Sequence, residues 1–259
     1  MASLKEVRQR IVSVGSTQQI TKAMKMVSAA KLRRAQDAIV RLRPYAIKLR
    51  ELLDNLSGSV SGSDGGAFAR AGKVEKVLLV AVTSNRGLCG AFNSNIIRTV
   101  NRLMAGKYSA QRANGSLKVL CVGKKGSDHF SKQKGLYTGQ HNHLFGNLTF
   151  ENSAQVAGEL MKEFAAGAYD RVEIIYNQFK NAAVQNVITE QFLPIEPSGD
   201  VKASKHTPDY IYEPEQGEIV RELIPKALKV QFHKALLDSH ASEHGARMTS
   251  MNKATDNAQ

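Results

Sequence analysis

Apolar residues recur at helical spacing along the first 56 residues. Leu4, Val7, Ile11 and Val14 are separated by 3, 4 and 3 residues. A second series with the same alternation consists of Leu32, Ala35, Ile39, Leu42, Ala46, Leu49, Leu53 and Leu56. This alternation is typical of a helix that pairs with another helix in a coiled coil. The pattern predicts one helix over residues 1–56, about 84 Å long at roughly 1.5 Å per residue.

The region between the two apolar series is polar. From Val14 to Leu32 is 18 residues, or two heptads plus four, which predicts a stutter that locally unwinds the supercoil. Pro44 predicts a kink or a local adjustment of the helix. The intervening heptad positions are all occupied by polar residues: Gln18, Thr21, Lys25 and Ser28.

The chain ends with another helical pattern, from about residue 215 onward. Nine of its twelve heptad positions are apolar, although many are small or flexible. Such a surface packs closely while burying little area. The segment between the two long helices joins neighbouring ends of them, so the sequence predicts that they pair antiparallel. The twelve positions are Val220, Leu223, Ala227, Val230, Lys234, Leu237, Ala241, His244, Met248, Met251, Thr255 and Ala258.

The middle of the chain predicts a separate α/β domain. Eight of the ten residues 57–66 are Gly or Ser, which is typical of a linker. Predicted strands then alternate with predicted helices at about 92–104, 125–132 and 151–166, which favours a mostly parallel sheet covered by helices. We expect a helix at 1–56, a linker at 57–73, an inserted Rossmann-like α/β domain at 74–214 and a helix at 215–259. The predicted strands are Lys76–Ser84, Leu117–Val122, Arg171–Lys180 and Gln185–Ile195.

Composition favours a folded, soluble chain. Hydrophobic residues make up 42%, and the longest apolar run, Val77–Val82, is far short of the roughly 20 residues that cross a bilayer. The first residues contain no apolar signal-peptide core. Two cysteines exclude a disulfide scaffold and fit a reducing compartment. We expect a cytosolic protein.

Positive charge is concentrated at the beginning of the chain. The formal net charge is +13, and residues 1–56 carry 12 basic against 4 acidic side chains. The stretch Lys22–Arg34, called the basic collar below, coincides with the polar gap between the apolar series. Two interpretations fit these charges: a solvated face of a coiled coil, or a surface that faces an acidic partner. A nucleic acid is an alternative partner for clustered Lys and Arg, although no Trp is present for stacking.

Candidate chemistry in the middle region is weak. The junction Thr83–Asn93 contains Gly87 and Gly90, and a glycine-bearing turn there could bind phosphate at a helix N-terminus. The dinucleotide and P-loop patterns are both absent, so tight-turn geometry is the preferred interpretation. Cys89 could act as a nucleophile with His129 or His141 as its base, but an incidental buried thiol is favoured.

The pair His141 and His143 could ligate a metal, but no Cys or carboxylate cluster accompanies it, and a surface loop is favoured. We expect no catalytic residue, cofactor or metal on this chain.

Four blocks resemble the gamma subunit family of F-type ATP synthases. They are Gln19–Lys31 (QITKAMKMVSAAK), Ser84–Gly90 (SNRGLCG), Tyr210–Pro214 (YIYEP) and Ala241–Met248 (ASEHGARM) continuing through Ala254–Asn257 (ATDN). The blocks occur in the family's order and span nearly the whole chain.

The resemblance implies a non-catalytic central rotor shaft. Its paired terminal helices would lie inside a hexamer of alpha and beta subunits, and its α/β domain would meet the c-ring and the epsilon subunit, with one copy per complex at the cytoplasmic face of a bacterial membrane. ATP would be made on the hexamer. Contacts with the c-ring and epsilon would fall on Tyr210, Tyr212 and Glu213. Contacts with the hexamer would fall on Lys22, Met24, Lys25, Lys31, Arg33, Arg34, Arg247 and Met248.

One departure accompanies the resemblance. Family members continue past the ATDN block with further helical turns, whereas this sequence stops at Gln259. The resemblance therefore implies that the tip of the shaft that would lie deepest in the hexamer is missing from this sequence, through truncation or natural shortening. Besides a basic coiled coil that binds nucleic acid or acts as a scaffold, a Rossmann-like enzyme that uses Cys89 remains an alternative.

Overall fold

The computed structural model describes residues 3–57, 68, 72–195 and 216–259. Its helices are α1 (Leu4–Ser57), α2 (Phe92–Ala105), α3 (Ser109–Ala113), α4 (Lys124–Phe130), α5 (Phe150–Ala165) and α6 (Gln216–Asn257). Its strands are β1 (Val77–Val82), β2 (Leu117–Val122), β3 (Tyr137–Gln140), β4 (Arg171–Phe179) and β5 (Gln185–Leu193). A 3-10 helix covers Asn142–Phe145.

The strands form one sheet in the order β3-β2-β1-β4-β5. The first four strands in that order are parallel, and β5 pairs antiparallel with β4. All six residues of β1 are buried, because β1 lies at the centre with helices on both faces. The expected α/β architecture with a mostly parallel sheet is confirmed.

Alternate residues of β1 face two different cores. Leu78, Val80 and Val82 pack with α5 and with the first half of α6, including the fully buried Phe232. Val77, Leu79 and Ala81 pack with α2 and with Phe130 of α4. The last helix of the chain is therefore part of the core of the α/β domain.

Helices α1 and α6 pair antiparallel, as the sequence predicts. Near one end of the contact Thr255 hydrogen-bonds to Thr21, and further along Leu237 and Ala241 pack against Leu32, Ala35 and Ile39. Helix α1 continues through Pro44 and α6 through Pro225. The antiparallel coiled coil and the inserted α/β domain together make up the predicted fold class.

The predicted stutter is wrong. Thr21 and Ser28 are buried, and Gln18 and Lys25 are half-buried. These positions continue the alternation of 3 and 4 residues from Val14 to Leu32 without a break, so the contact line on α1 is continuous and merely changes from apolar to polar. The first apolar series has no cover in the described residues: Leu4, Val7, Ile11 and Val14 are 45–72% exposed.

Helix α6 is buried on more than the single face that its heptads predict. Every residue from Ala235 to Arg247 is buried except the half-buried His240. The reason is that α6 lies between α1 on one side and strand β4 with its neighbours on the other. A two-sided burial pattern of this kind is not visible in a heptad count.

The remaining differences from the sequence prediction are local. Strand β3, helix α3 and the 3-10 helix were not predicted. Most of the Gly/Ser-rich stretch, residues 58–67 and 69–71, lies outside the described residues, as do residues 196–215. In the part of the chain that the structure describes, no helix is both long and apolar enough to cross a membrane.

Candidate functional site

Four side chains of the basic collar project from α1 into solvent. Lys22, Lys31, Arg33 and Arg34 are all exposed. At 3.6 residues per turn Arg33 and Arg34 lie on the half of α1 opposite the contact line formed by Thr21, Ser28 and their heptad equivalents, and Lys22 and Lys31 lie on its two flanks. The collar is therefore a convex positive surface on the outside of the helix pair.

Three other predicted contact residues lie closer to the helix pair. The Lys25 ammonium donates a hydrogen bond to Asn252 Oδ1 across the pair at 2.5 Å. Met24 is half-buried. Met248 also is half-buried, and it packs with the α1–α6 cluster around Leu237. Lys25 and Met248 hold the pair together at the level of the collar.

Arg247 does not project into solvent, because it is only 6% exposed and points toward the α/β domain. Its Nε donates to the carbonyl oxygen of Gly87 at 3.2 Å, and Nη2 donates to that of Arg86 at 3.0 Å. Its Nη1 lies 2.7 Å from Glu243 Oε1 one turn earlier. Burial raises the pKa of the Glu243 carboxyl, and the Arg247 charge opposes this.

A chain of hydrogen bonds continues from Arg247 along α6. Nη1 of Arg247 lies 3.3 Å from His244 Nδ1, and His244 Nε2 lies 3.1 Å from His240 Nε2. A guanidinium can only donate, so Nδ1 of a neutral His244 accepts and its Nε2 donates to His240. Burial and nearby cations lower the pKa of His240 to about 4 and that of His244 to about 3. Both rings are neutral at pH 7.

The second half of α6 fills the crevice above strands β1 and β4. These strands are neighbours whose crossovers leave toward opposite edges of the sheet, and in open α/β sheets ligands bind outside the carboxyl ends of strands at such a switch point. Here α6 occupies that place. Ser242 donates to the Asn177 carbonyl at 2.9 Å, and Thr249 donates to the Ala182 carbonyl at 3.1 Å.

The fit of α6 in this crevice depends on two glycines. A Cβ added at Gly245 would lie 3.2 Å from the Cα of Ala182, so a side chain there would push the helix away from the strand. A Cβ at Gly90 would lie 3.1 Å from Ser250 Oγ. The crevice is consequently closed by the protein's own backbone and side chains.

The turn after β1 has the tight geometry that the sequence predicts, with a difference in detail. Left-handed backbone occurs at Gly90 (φ 58°) and at Leu88 (φ 61°), whereas Gly87 takes no such conformation. Leu88 is the non-glycine residue that sequence reasoning missed. The carbonyl groups of Arg86 and Gly87 in this turn accept hydrogen bonds from Arg247.

Cys89 lies beneath the same turn and is only 2% exposed. Asn93 Nδ2 donates to its sulfur at 3.2 Å, and burial raises the pKa of the thiol. A nucleophilic cysteine requires the opposite shift. The structure therefore supports an unreactive buried thiol.

The other candidate groups do not form a reaction centre. His141 Nε2 lies 3.9 Å from Glu159 Oε2, and its ring contacts that of His143 edge to face. Among the described residues no cluster of three or more His, Cys, Asp or Glu could hold a metal. Tyr210, Tyr212 and Glu213, the predicted contacts with the c-ring and epsilon, lie outside the described residues.

Comparison with known proteins gives consistent matches. Residues 3–259 match a family model described as ATP synthase. The chain is 58% identical to the ATP synthase gamma chain of Flavobacterium johnsoniae over 259 residues, and 52% identical to that of Cytophaga hutchinsonii over 261 residues. Each alignment covers all of this chain and 88% of the relative.

Solved structures show the same architecture. The central stalk and c-ring structure of the Tetrahymena thermophila mitochondrial ATP synthase contains a chain with a TM-score of 0.66 and 29% identity, covering 91% of this chain and 99% of that one. A chain in the rotor of the Euglena gracilis enzyme has the same fold, with a TM-score of 0.66 over 97% of this chain and 90% of that one, at 24% identity. On these sequence matches, the chain belongs to the ATP synthase gamma chain family.

Proposed function

We propose that this chain is the central rotor shaft of a proton-translocating F-type ATP synthase. It couples rotation of the membrane ring to conformational change in the catalytic subunits and carries no catalytic site itself. The observation that carries the proposal is the long antiparallel pair α1–α6, packed against the α/β domain along α6 and bearing an exposed basic collar on α1. Membership of the gamma chain family supports it.

The shaft acts by contact and not by chemistry. An asymmetric body that turns inside a ring of subunits stabilises a different conformation of each subunit at each angle, and this differential stabilisation is the physical content of coupling. The closed crevice above β1 and β4 and the buried Cys89 thiol fit a chain without a reaction centre.

The basic collar is the proposed contact surface for acidic loops of the alpha–beta hexamer. The surface comprises the exposed Lys22, Lys31, Arg33 and Arg34, with Met24, Lys25 and Met248 supporting the helix pair behind it. Exposed ion pairs are typically worth about 0–1 kcal/mol each. Pairs this weak can break and re-form at each rotary position without locking the rotor.

At the opposite end we propose contact with the c-ring and the epsilon subunit through Tyr210, Tyr212 and Glu213. This end of the shaft holds the chain at the cytoplasmic face of the bacterial membrane as a peripheral subunit, one copy per complex. Arg247 is not part of the proposed hexamer surface, because four of its five N–H groups bond within this chain.

Reconstitution tests the proposal. The purified chain is mixed with alpha and beta subunits, and the mass of the product and its ATP hydrolysis are measured. We expect one copy per hexamer and hydrolysis in the mixture only. A variant with Lys22, Arg33 and Arg34 changed to Glu should bind more weakly, and the difference from wild type should shrink as salt rises. Failure of the wild-type chain to associate would refute the proposal.

A nucleic-acid-binding role is tested in parallel. Such a protein loses affinity steeply with salt, because each neutralised phosphate releases counterions. We expect only weak binding of duplex DNA at physiological ionic strength. Tight binding of DNA or RNA by the assembled complex would favour the alternative.

A further inference from the structure

The crevice at the carboxyl ends of β1 and β4 is filled by α6, and the central contact within it is made by Arg247. Its guanidinium reaches the carbonyl oxygens of two successive residues, Arg86 and Gly87, in the turn after β1. We infer that Arg247 is a fastener that fixes the α/β domain to the shaft at this level, so that the two turn as one body. The inference rests on the proposed function and specifies where torque passes within the chain.

The α/β domain packs along α6, by apolar side chains in the lower part of the helix and by hydrogen bonds in its upper part. The lower attachment is the apolar core around Phe232, which also contains Ile224 and Leu228. The upper attachment is the Arg247 contact, 15 residues and about 22 Å further along the helix. Apolar packing is not directional, whereas the upper hydrogen bonds have fixed directions. The distance between the attachments keeps the domain from tilting against α6, and the Arg247 hydrogen bonds, which lie off the helix axis, resist rotation of the domain about α6.

Arginine is suited to this position by its geometry. Nε and Nη2 lie on one edge of a rigid plane and donate to two backbone acceptors that cannot change rotamer. Nη1 on the other edge binds Glu243, which is also buried. The buried pair is therefore neutral as a unit, and removal of either partner would leave an uncompensated charge. A lysine could keep the charge but not the two parallel donors.

The same turn offers a way to replace the fastener by a covalent bond. A Cβ at Gly90 would lie 3.1 Å from Ser250 Oγ, so the two Cβ atoms are at most about 4.5 Å apart, within the range of disulfides. Cysteines at positions 90 and 250, in a Cys89→Ser background, should therefore form a disulfide between turn and helix. The left-handed φ of Gly90 makes the single Gly90→Cys variant the matched control.

The test uses the complete ATP synthase in membrane vesicles and measures protons pumped per ATP hydrolysed. We expect Arg247→Gln to lower this ratio at least several-fold and Arg247→Lys to lower it less. In the Arg247→Gln background the oxidised 90–250 disulfide should restore most of the ratio, and reduction by a thiol should abolish the restoration. The single-cysteine control should show no response to oxidation.

The outcomes separate this inference from the proposed function. Normal pumping by Arg247→Gln would overturn the inference that Arg247 fixes the α/β domain to α6. A loss of pumping that the formed disulfide does not restore would overturn it too, and would place Arg247 in contact with the hexamer. If the glutamine variant fails to assemble, the lysine variant carries the test, together with hydrogen exchange of the 84–90 amides, which should accelerate. Failure of the wild-type chain to assemble would instead refute the shaft itself.

Discussion

The hydroxyl groups of Thr21 and Thr255 lie 2.8 Å apart and join α1 to α6 by a hydrogen bond between residues 234 positions apart in the chain. Just below them, Lys25 bonds to Asn252. Further along the pair, Leu32, Ala35 and Ile39 of α1 pack against Leu237 and Ala241 of α6. The helix pair is thus held by polar bonds at the level of the collar and by apolar packing beneath it.

Making the polar part apolar should strengthen the pair and weaken coupling. In a variant with Gln18→Leu, Thr21→Val and Lys25→Leu we expect a higher melting temperature, because each added buried methylene is worth about 0.8 kcal/mol. ATP-driven proton pumping should fall. Gln19→Leu, on the exposed side of α1, is the control. Unchanged pumping in the triple variant would show that the polar section has no role in coupling.

Truncation of Phe232 should destabilise the whole chain. Its ring is fully buried and lies 5.9 Å from that of Phe192, between α6 and the sheet. We expect Phe232→Ala to lower the free energy of unfolding by about 3–5 kcal/mol, measured by denaturant titration. Tyr45→Ala, at a side chain 54% exposed, should change it by less than about 0.5 kcal/mol. Similar losses in both variants would contradict the assignment of the core.

Replacement by alanine should have opposite effects on stability at Gly123 and at Gly158. A Cβ at Gly123 would lie 2.0 Å from the Thr83 carbonyl oxygen, and its φ is 114°. We expect Gly123→Ala to yield little folded protein. Gly158 lies within helix α5 with nothing within 4 Å of a new Cβ, so Gly158→Ala should stabilise by about 0.5–1 kcal/mol. Circular dichroism melts compare the stability of both variants with that of the wild type. A stable Gly123→Ala protein would contradict the backbone conformation described at Gly123.

Acidification should lower the free energy of unfolding through protonation of His240 and His244. Their pKa values are lowered to about 4 and 3, whereas an unfolded histidine titrates near 6.5. Between about pH 6.5 and 4 the unfolded chain binds more protons, so stability falls as pH falls. The slope per histidine reaches about 1.4 kcal/mol per pH unit. Lys31 and Arg247 are the charged groups that act on both rings.

The measurement compares wild type with a His240→Gln/His244→Gln variant. Asp238 titrates in the opposite sense, because burial raises its pKa to about 6 and it gains protons on folding between about pH 4 and 6. Asp238 is present in both proteins, so the difference between their unfolding curves isolates the histidines. Equal pH dependence in the two would exclude neutral buried rings.

The spacing of apolar residues along the chain predicted much of this fold. The 3,4 alternation located α1 closely, continuous apolar runs located β1 and β2, and the predicted strands at 171–180 and 185–195 matched β4 and β5 within two residues at each end. Strand β3 was missed because its half-exposed sequence, Tyr-Thr-Gly-Gln, carries little apolar signal. The stutter was inferred because polar residues on the contact line were taken for a change of register, although the spacing never changes.

The candidate site was less accessible from sequence, since it depends on what lies beside α6. Exposure of Lys22 and Arg33 follows from their place away from the contact line. Burial of Arg247 does not, because the turn after β1 approaches it from 160 residues away in sequence. The small residues Ala241, Ser242 and Gly245 of α6 were the one sequence feature that indicated close packing of a second surface against this part of the helix.

The shared position of α6 also has a consequence for biosynthesis. Ile224, Leu228 and Phe232 complete the core that contains β1 and β4, yet they are translated after every strand of the sheet. Until they emerge from the ribosome, one face of the sheet has no helix over its apolar residues near α6. Exposed apolar sheet surface promotes aggregation in nascent chains, so we expect the α/β domain to remain dependent on chaperones until the last helix is made.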